Sequence, residues 1–256
     1  MRTFKIEPLH VPSMEACRLR IDNLTKPIYS LATLESIAER FAGILRNPKP
    51  NHLRYGVLVV AADHLVDGPQ NTEHGSESYD AIERFNEGTT ATQGAAAKLN
   101  AVVHVVNLGL EQDTADLANI EQQVIRKGSH FFGVEPAISR EELERALELG
   151  FTYADRLHAD GLQVVAIGNV GERAFLDSLV TTATITGCAY EDILVHNEYG
   201  PTVEQRIAHI HSFVDRFNID VDDWSALSES ERRDAVLNLL HVAGGLDIAF
   251  LTAFIL

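Results

Sequence analysis

Beyond residue 55 the chain alternates between two kinds of pattern. Short, unbroken apolar runs occupy 57–62, 102–108 and 162–167, with a fainter one at 193–195. Runs of this length without polar alternation predict strands buried on both faces. Between them the apolar positions take a helical period. The clearest example opens at Ser139, with Glu142 three residues on, which is the signature of a capping box. Leu143, Leu147, Gly150, Ala154 and Leu157 then share one face, and Gly161 closes the element. The segments 77–100, 171–187 and 202–217 also predict helices. Strand, helix, strand with doubly buried strands predicts an α/β fold: a parallel, Rossmann-like sheet flanked by helices.

The first 50 residues follow a different pattern. Leu31, Leu34, Ile37, Ala38, Phe41 and Leu45 make an amphipathic helix that ends at Asn47-Pro48-Lys49-Pro50. The expected division is a small helical lobe at 1–50 and an α/β domain at 51–256. The stretch from Ser228 is helical again, interrupted at Gly244-Gly245.

Composition narrows the classes of function. The chain has 256 residues, of which 45% are apolar, enough for a sizeable core. Its apolar runs fall short of the ~18 residues of a membrane span, so no membrane partner is expected. Lys and Arg number 21 against 37 Asp and Glu, a formal charge of −16. That balance argues against nucleic acid, because nothing offsets repulsion from phosphates. The start lacks the apolar core of a signal peptide. Two cysteines, Cys17 and Cys188, give no disulfide framework, so a reducing cytoplasm is expected. Eleven histidines raise the question of a metal. Their spacing gives no ligand set: His209 and His211 diverge by ~200° on a helix. No metal and no cofactor are expected. Asp220, Asp222 and Asp223 read as a solvated turn.

In an open parallel sheet, ligands bind beyond the carboxyl ends of the strands. This places Asp63-His64 after one strand and Gly168-Asn169 after another at the expected site mouth. A charged pair directly after a buried strand is costly unless it has a use.

Five runs in order carry a resemblance. They are 20–27 (RIDNLTKP) followed by Ser30-Leu31; Ala61-Ala62-Asp63-His64; Gly128-Ser129; Glu135-Pro136-Ala137-Ile138-Ser139; and Ala243-Gly244-Gly245-Leu246-Asp247. In this spacing the chain resembles the nicotinate-nucleotide:dimethylbenzimidazole phosphoribosyltransferases of cobamide synthesis, essentially along its whole length. The resemblance implies a parallel α/β domain with a small helical lobe. It also implies transfer of phosphoribose from nicotinate mononucleotide to an aromatic nitrogen base, with inversion. Such a reaction needs a grip on the ribosyl phosphate, a carboxylate to take the proton of the attacking base, and negative charge near an oxocarbenium-like sugar.

The resemblance also locates departures. The family pattern Gly-Glu-Met-Gly-Ile-(Gly/Ala)-Asn-Thr-Thr aligns without a gap on 168–176. Gly168 and Gly171 are kept, which implies a preserved tight turn. The family Glu becomes Asn169, and Ala174-Phe175-Leu176 replace three hydrogen-bonding residues at the helix start. Glu172 and Arg173 are new, and Glu172 is a candidate replacement carboxylate. The candidate catalytic positions are therefore Asn169 and Glu172. Asp63, His64, Glu73, His74, Gly168, Gly171, Arg173, His196 and Arg206 are the candidate substrate-binding positions. Glu73-His74 fall where the family carries an aromatic base slot, so a different base is implied. Arg206 falls near a family Lys and suits a phosphate.

Past Gly-Gly-Leu-Asp the family continues with more sheet, a phosphate contact and a general-base Glu, whereas this sequence ends at Leu256. Losing a general base costs ~10²–10⁴ in rate. Two readings therefore stand open: a phosphoribosyltransferase, or a catalytically impaired paralogue acting as a binding or partner subunit. A fragment of a longer reading frame is a third. The expected partners are a small-molecule ribonucleotide or aromatic base, and a second subunit in a homodimer or a heterodimer with a paralogue.

Overall fold

The computed structural model describes residues 7–65, 76–131, 134–189 and 224–255. The strand expected at 193–195 and the helix expected at 202–217 lie outside the described residues. The chain divides into two compact units, Met1–Leu53 and Arg54–Leu256.

The first unit pairs α1 (Val11–Asp22) with α2 (Thr33–Ile44). Pro12 sits in the first turn of α1, where its missing N–H costs nothing. Cys17 and Ala42 are buried between the helices. Glu35 accepts from Lys26 Nζ at 2.8 Å and from the Leu31 backbone N–H at 3.0 Å, which ties the connecting loop to α2.

The second unit is built on a parallel sheet of order β3-β2-β1-β4, so the expected α/β architecture is present. Its strands are β1 (Tyr55–Ala62), β2 (Val102–Gly109), β3 (Glu121–Gln122) and β4 (Val164–Val170). The alternate residues of β1 serve two cores. Leu58, Val60 and Ala62 pack with Val106 and Leu108 against α5 (Arg140–Ala159) and the last helix. Val59 and Ala61 pack with Val105 against Ile82 and Phe85 of α3 (Ser76–Glu87). Burial on both faces is why the β1 and β2 runs carry no polar alternation; β4, expected to be buried as well, has no buried residue along its length, and Ile167 is 43% exposed.

Helix α5 begins as the sequence predicts. The Ser139 side chain accepts from Glu142 N, and the Glu142 side chain accepts from Ser139 N. The segment 77–100 departs from its prediction, because it holds two helices. Gly88 and Thr89 separate α3 from α4 (Ala91–Lys98), and Thr90 forms a second capping box with Gln93. Strand β4 runs three residues past the predicted run. Gly168 and Asn169 are therefore strand residues, opposite Val59 and Val60, rather than the loop expected after the strand. The short β3 was not predicted, since Glu121-Gln122 has no apolar signal.

After β4, α6 spans Ala174–Thr186. Ser228 caps α7 (Glu229–Leu239), which passes through a π-helical turn (Leu240–Gly244) into α8 (Gly245–Ile255). The interruption predicted at Gly244-Gly245 is this turn. The stretch Glu229–Ile255 is long and apolar enough to cross a membrane by length and composition alone, yet 56% of its most apolar window is buried inside the fold. It packs mainly on α5. A Cβ at Gly150 would stand 2.2 Å from the Phe250 carbonyl oxygen, so the two helix backbones nearly touch. Tyr153 and Phe250 stack edge to face at 5.2 Å. This packing delivers the start of α8 to the carboxyl ends of the strands.

Candidate active site

Three chain segments converge at the carboxyl ends of β1, β2 and β4, and Asp63 holds them together. Its Oδ1 accepts from Ser78 Oγ at 2.5 Å and from the Glu172 backbone N–H at 2.9 Å. Its Oδ2 accepts from the Glu111 backbone N–H at 2.8 Å. The backbone joins in: Asp63 N donates to Gly109 O, and Ser129 N donates to Asp63 O, each at 3.0 Å. Ser129 Oγ then accepts from Leu65 N at 2.9 Å. Asp63 is only 2% exposed. A buried carboxylate with three donors is well compensated, and it fixes the loops after β1, β2 and β4 relative to one another.

His64 is buried as deeply. Its Nδ1 lies against Asp177 Oδ2, and its Nε2 is 3.1 Å from Asp247 Oδ1. All three side chains are fully enclosed. Asp177 comes from the first turn of α6 and Asp247 from the first turn of α8, where carboxylates also complement the helix dipoles. Burial disfavours the charged imidazole and is the largest single influence on it. The two carboxylates together outweigh burial and raise its pKa well above the ordinary value. Burial likewise pushes the Asp177 carboxyl up, against the pull of His64. The cluster thus holds an imidazole, biased toward its charged form, between two acidic groups from different helices.

Two glycines make room for this arrangement. A Cβ at Gly171 would stand 1.7 Å from the Ala62 carbonyl oxygen, so the β4–α6 turn can close on the end of β1 only without a side chain. Gly245 has φ +62, and a Cβ there would stand 2.4 Å from His64 Cε1. The turn expected to need both Gly168 and Gly171 needs only the second. Gly168 lies within β4, where an added Cβ meets nothing within 4 Å.

Asn169 reaches the cluster from the outside. Its Nδ2 donates to Asp247 Oδ2 at 2.8 Å, while the residue itself is exposed. A continuous line of polar contacts therefore runs from Asn169 through Asp247 and His64 to Asp177. The turn after β4 is pinned through its backbone, with Glu172 N on Asp63 and Glu172 O accepting from His64 N at 2.9 Å. Arg173 follows in a left-handed conformation, φ +61, as the exposed N-cap of α6.

Of the residues singled out in the sequence, the structure brings Asp63, His64, Gly168, Asn169, Gly171, Glu172 and Arg173 to one end of the sheet. Glu73, His74, His196 and Arg206 lie outside the described residues. Asp63 and His64 spend their side chains on internal partners. The sequence marked Gly245 and Asp247 only as part of the run 243–247 and gave no site role to them, to Asp177 or to Ser78. A usable signal existed for the two carboxylates, since each interrupts an otherwise apolar stretch, as Asp63 does. Among the described residues no group of three or more His, Cys, Asp or Glu side chains is placed to hold a metal ion. A separate apolar groove of about 690 Å³ lies between β1, β4 and α4. It meets the site at Gly168, Asn169 and Val170 and otherwise runs toward Tyr55 and Leu99, away from the strand ends.

Residues 6–256 match the family model DBI_PRT, described as phosphoribosyltransferase. Among similar proteins is the nicotinate-nucleotide–dimethylbenzimidazole phosphoribosyltransferase of a Geobacter species, 28% identical over 261 residues, covering 98% of this chain and 70% of that protein. The protein of the same name from Desulforamulus reducens is 30% identical over 255 residues, with 98% and 70% covered. The crystal structure of the Thermus thermophilus enzyme so named superposes with a TM-score of 0.77 at 25% identity, covering 95% of this chain and 69% of that one. With the match running through β1, β4, α6 and the start of α8, the chain belongs to this phosphoribosyltransferase family.

Proposed function

We propose that the protein transfers a phosphoribosyl group from nicotinate mononucleotide to an aromatic nitrogen base at the carboxyl ends of β1 and β4. The observation that carries this reading is the family match across 6–256, which includes every residue of the strand-end cluster. In the proposed reaction the base nitrogen attacks C1′ of the ribosyl group. The bond to the nicotinate nitrogen breaks with its electron pair going to nicotinate, and the proton on the base's other nitrogen is lost.

The cluster suits the charge that develops. The cluster gathers two acidic side chains around one imidazole beneath Asn169, and negative charge nearby favours an oxocarbenium-like sugar. The enclosed site raises the worth of that charge, because little solvent screens it. Glu172 is the proposed proton acceptor, since Asn169 is an amide and cannot take that role. Its backbone is held by Asp63 and His64, so the turn that carries it is fixed before any ligand arrives. Arg173, exposed at the start of α6, is the proposed partner of the ribosyl phosphate, where guanidinium and helix N-terminus act together. Asp63 and His64 act as positioning residues. Glu73, His74, His196 and Arg206 remain proposed ligand contacts from the sequence. A dimeric assembly and a cytoplasmic setting belong to the same proposal, by analogy with the family. Neither the fold nor the comparisons add support to a non-catalytic partner subunit.

The test is direct. Purified protein is incubated with nicotinate mononucleotide and 5,6-dimethylbenzimidazole, and with a panel of other azoles, and the release of nicotinate and formation of the α-riboside phosphate are followed by chromatography. Base-dependent release of nicotinate is expected. Absence of product with every base, from protein that binds nicotinate mononucleotide, would overturn the transfer reading.

A further inference from the structure

The contact between Asn169 and Asp247 constrains what the mouth of the site can recognise. A carboxylate oxygen only accepts hydrogen bonds, so the amide beside Asp247 Oδ2 must turn its NH₂ inward. The other Asp247 oxygen is held by His64 Nε2 at 3.1 Å. His64 is fixed from its other side by Asp177, so the carboxylate cannot rotate away without leaving the enclosed Nε2 with no partner. Asn169 stands at the ladder position opposite Val60, one residue before the strand ends, and is exposed. Its amide oxygen is therefore the end presented outward.

We infer that Asn169 is a specificity-determining residue whose amide oxygen, oriented by Asp247, selects a ligand group that donates a hydrogen bond, an N–H or a hydroxyl, and disfavours an anion or a bare acceptor at that point. This rests on the reading of the chain as a phosphoribosyltransferase. A residue with a carboxylate at 169 would stand against Asp247 with like charge and no donor between them. The amide keeps the hydrogen bond inside and offers one neutral acceptor outside. Two sources could supply the donor: the N–H of an azole base or a ribosyl hydroxyl.

Two matched ligand pairs distinguish the sources. Isothermal titration compares benzimidazole with 1-methylbenzimidazole, and nicotinate mononucleotide with its 2′-deoxy analogue. Losing one hydrogen bond at a partly exposed site corresponds to about tenfold in affinity. Wild-type protein is expected to favour the donor-bearing member of one pair about tenfold, and Asn169→Leu to bring that ratio close to one. Asp247→Asn, which lets either end of the amide face inward, is expected to lower the ratio toward the same value in protein that keeps its helical circular dichroism. If that variant does not fold, Asn169→Leu alone decides. Equal binding within both pairs by wild type, or a ratio unchanged in Asn169→Leu, overturns the inference and leaves the transfer reading standing. Failure of all four ligands to bind overturns both.

Discussion

Two charged clusters on the same sheet show how differently one set of residue types behaves at two depths. At the β3 edge, Glu121 is half-exposed and fully partnered. Its Oε1 meets His104 Nδ1 at 2.9 Å and Arg156 Nη2 at 3.1 Å, and its Oε2 meets Tyr153 Oη and Arg156 Nη1 at 2.8 Å each. Arg156 also lies 4.1 Å over the Tyr153 ring. Burial works against the Glu121 carboxylate, but hydrogen bonds from His104, Arg156 and Tyr153 prevail and bring its pKa to about 2. At the strand ends, His64, Asp177 and Asp247 are enclosed. Both ring nitrogens and several carboxylate oxygens lack a well-aligned hydrogen bond among the described residues. The first cluster ties β3 to α5 and leaves nothing unmet. The second is held by close ion pairing rather than by aligned hydrogen bonds, and buried titratable groups of that kind cluster at functional sites.

Substitutions separate the two. His64→Leu leaves two carboxylates facing each other in the interior and should destabilise by about 3–5 kcal/mol in denaturant unfolding, the usual cost of breaking a buried pair. Gly245→Ala forces a β-carbon into the His64 ring at a positive φ, and an effect of about 2–3 kcal/mol is expected. Glu121→Gln should cost only about 1 kcal/mol, because solvent screens a half-exposed pair. If Glu121→Gln proves as damaging as His64→Leu, depth is not what distinguishes the clusters.

A subtler contrast lies in pH. The Glu121 carboxyl titrates lower in the folded chain than its ordinary 4.5. Its contribution is therefore present above pH ~4.5 and is lost as pH falls toward 2. His64 titrates higher when folded. Its contribution is complete below pH ~6.5 and fades as pH rises through the folded value. The stability difference between wild type and Glu121→Gln should thus shrink in acid, and that between wild type and His64→Leu should shrink in base. Chemical denaturation from pH 3 to pH 9 reads both slopes, and parallel slopes would remove the distinction.

The architecture was legible because its signals are local and periodic. Doubly buried strands leave apolar runs, and Ser139 with Glu142 marks a helix start regardless of its neighbours. The helix break at Gly88 and Thr89 was missed because one continuous polar–apolar rhythm spans it. The site was half legible. Asp63 and His64 stand out as charges after an apolar strand, and Gly171 as the turn residue. Asp177 and Asp247 stand far apart in sequence and meet on His64 only because α5 and α8 pack closely enough to carry the start of α8 to the strand ends. That closeness depends on Gly150 against Phe250, a long-range contact that no local pattern announces. The expected loop position of Asn169 failed for a related reason: pairing with Val60 keeps it in the strand, which aims its amide at Asp247.

The charge state of His64 tests this account most directly. Nitrogen-15 NMR of histidine-labelled protein, with His64 assigned by comparison with His64→Leu, distinguishes an imidazolium from either neutral tautomer. The expected result is an imidazolium with both ring nitrogens protonated that persists well above pH 6.5. A neutral ring, or one that titrates at the ordinary value near 6.5, would contradict the picture of a buried cation holding α6 and α8 together beneath the site.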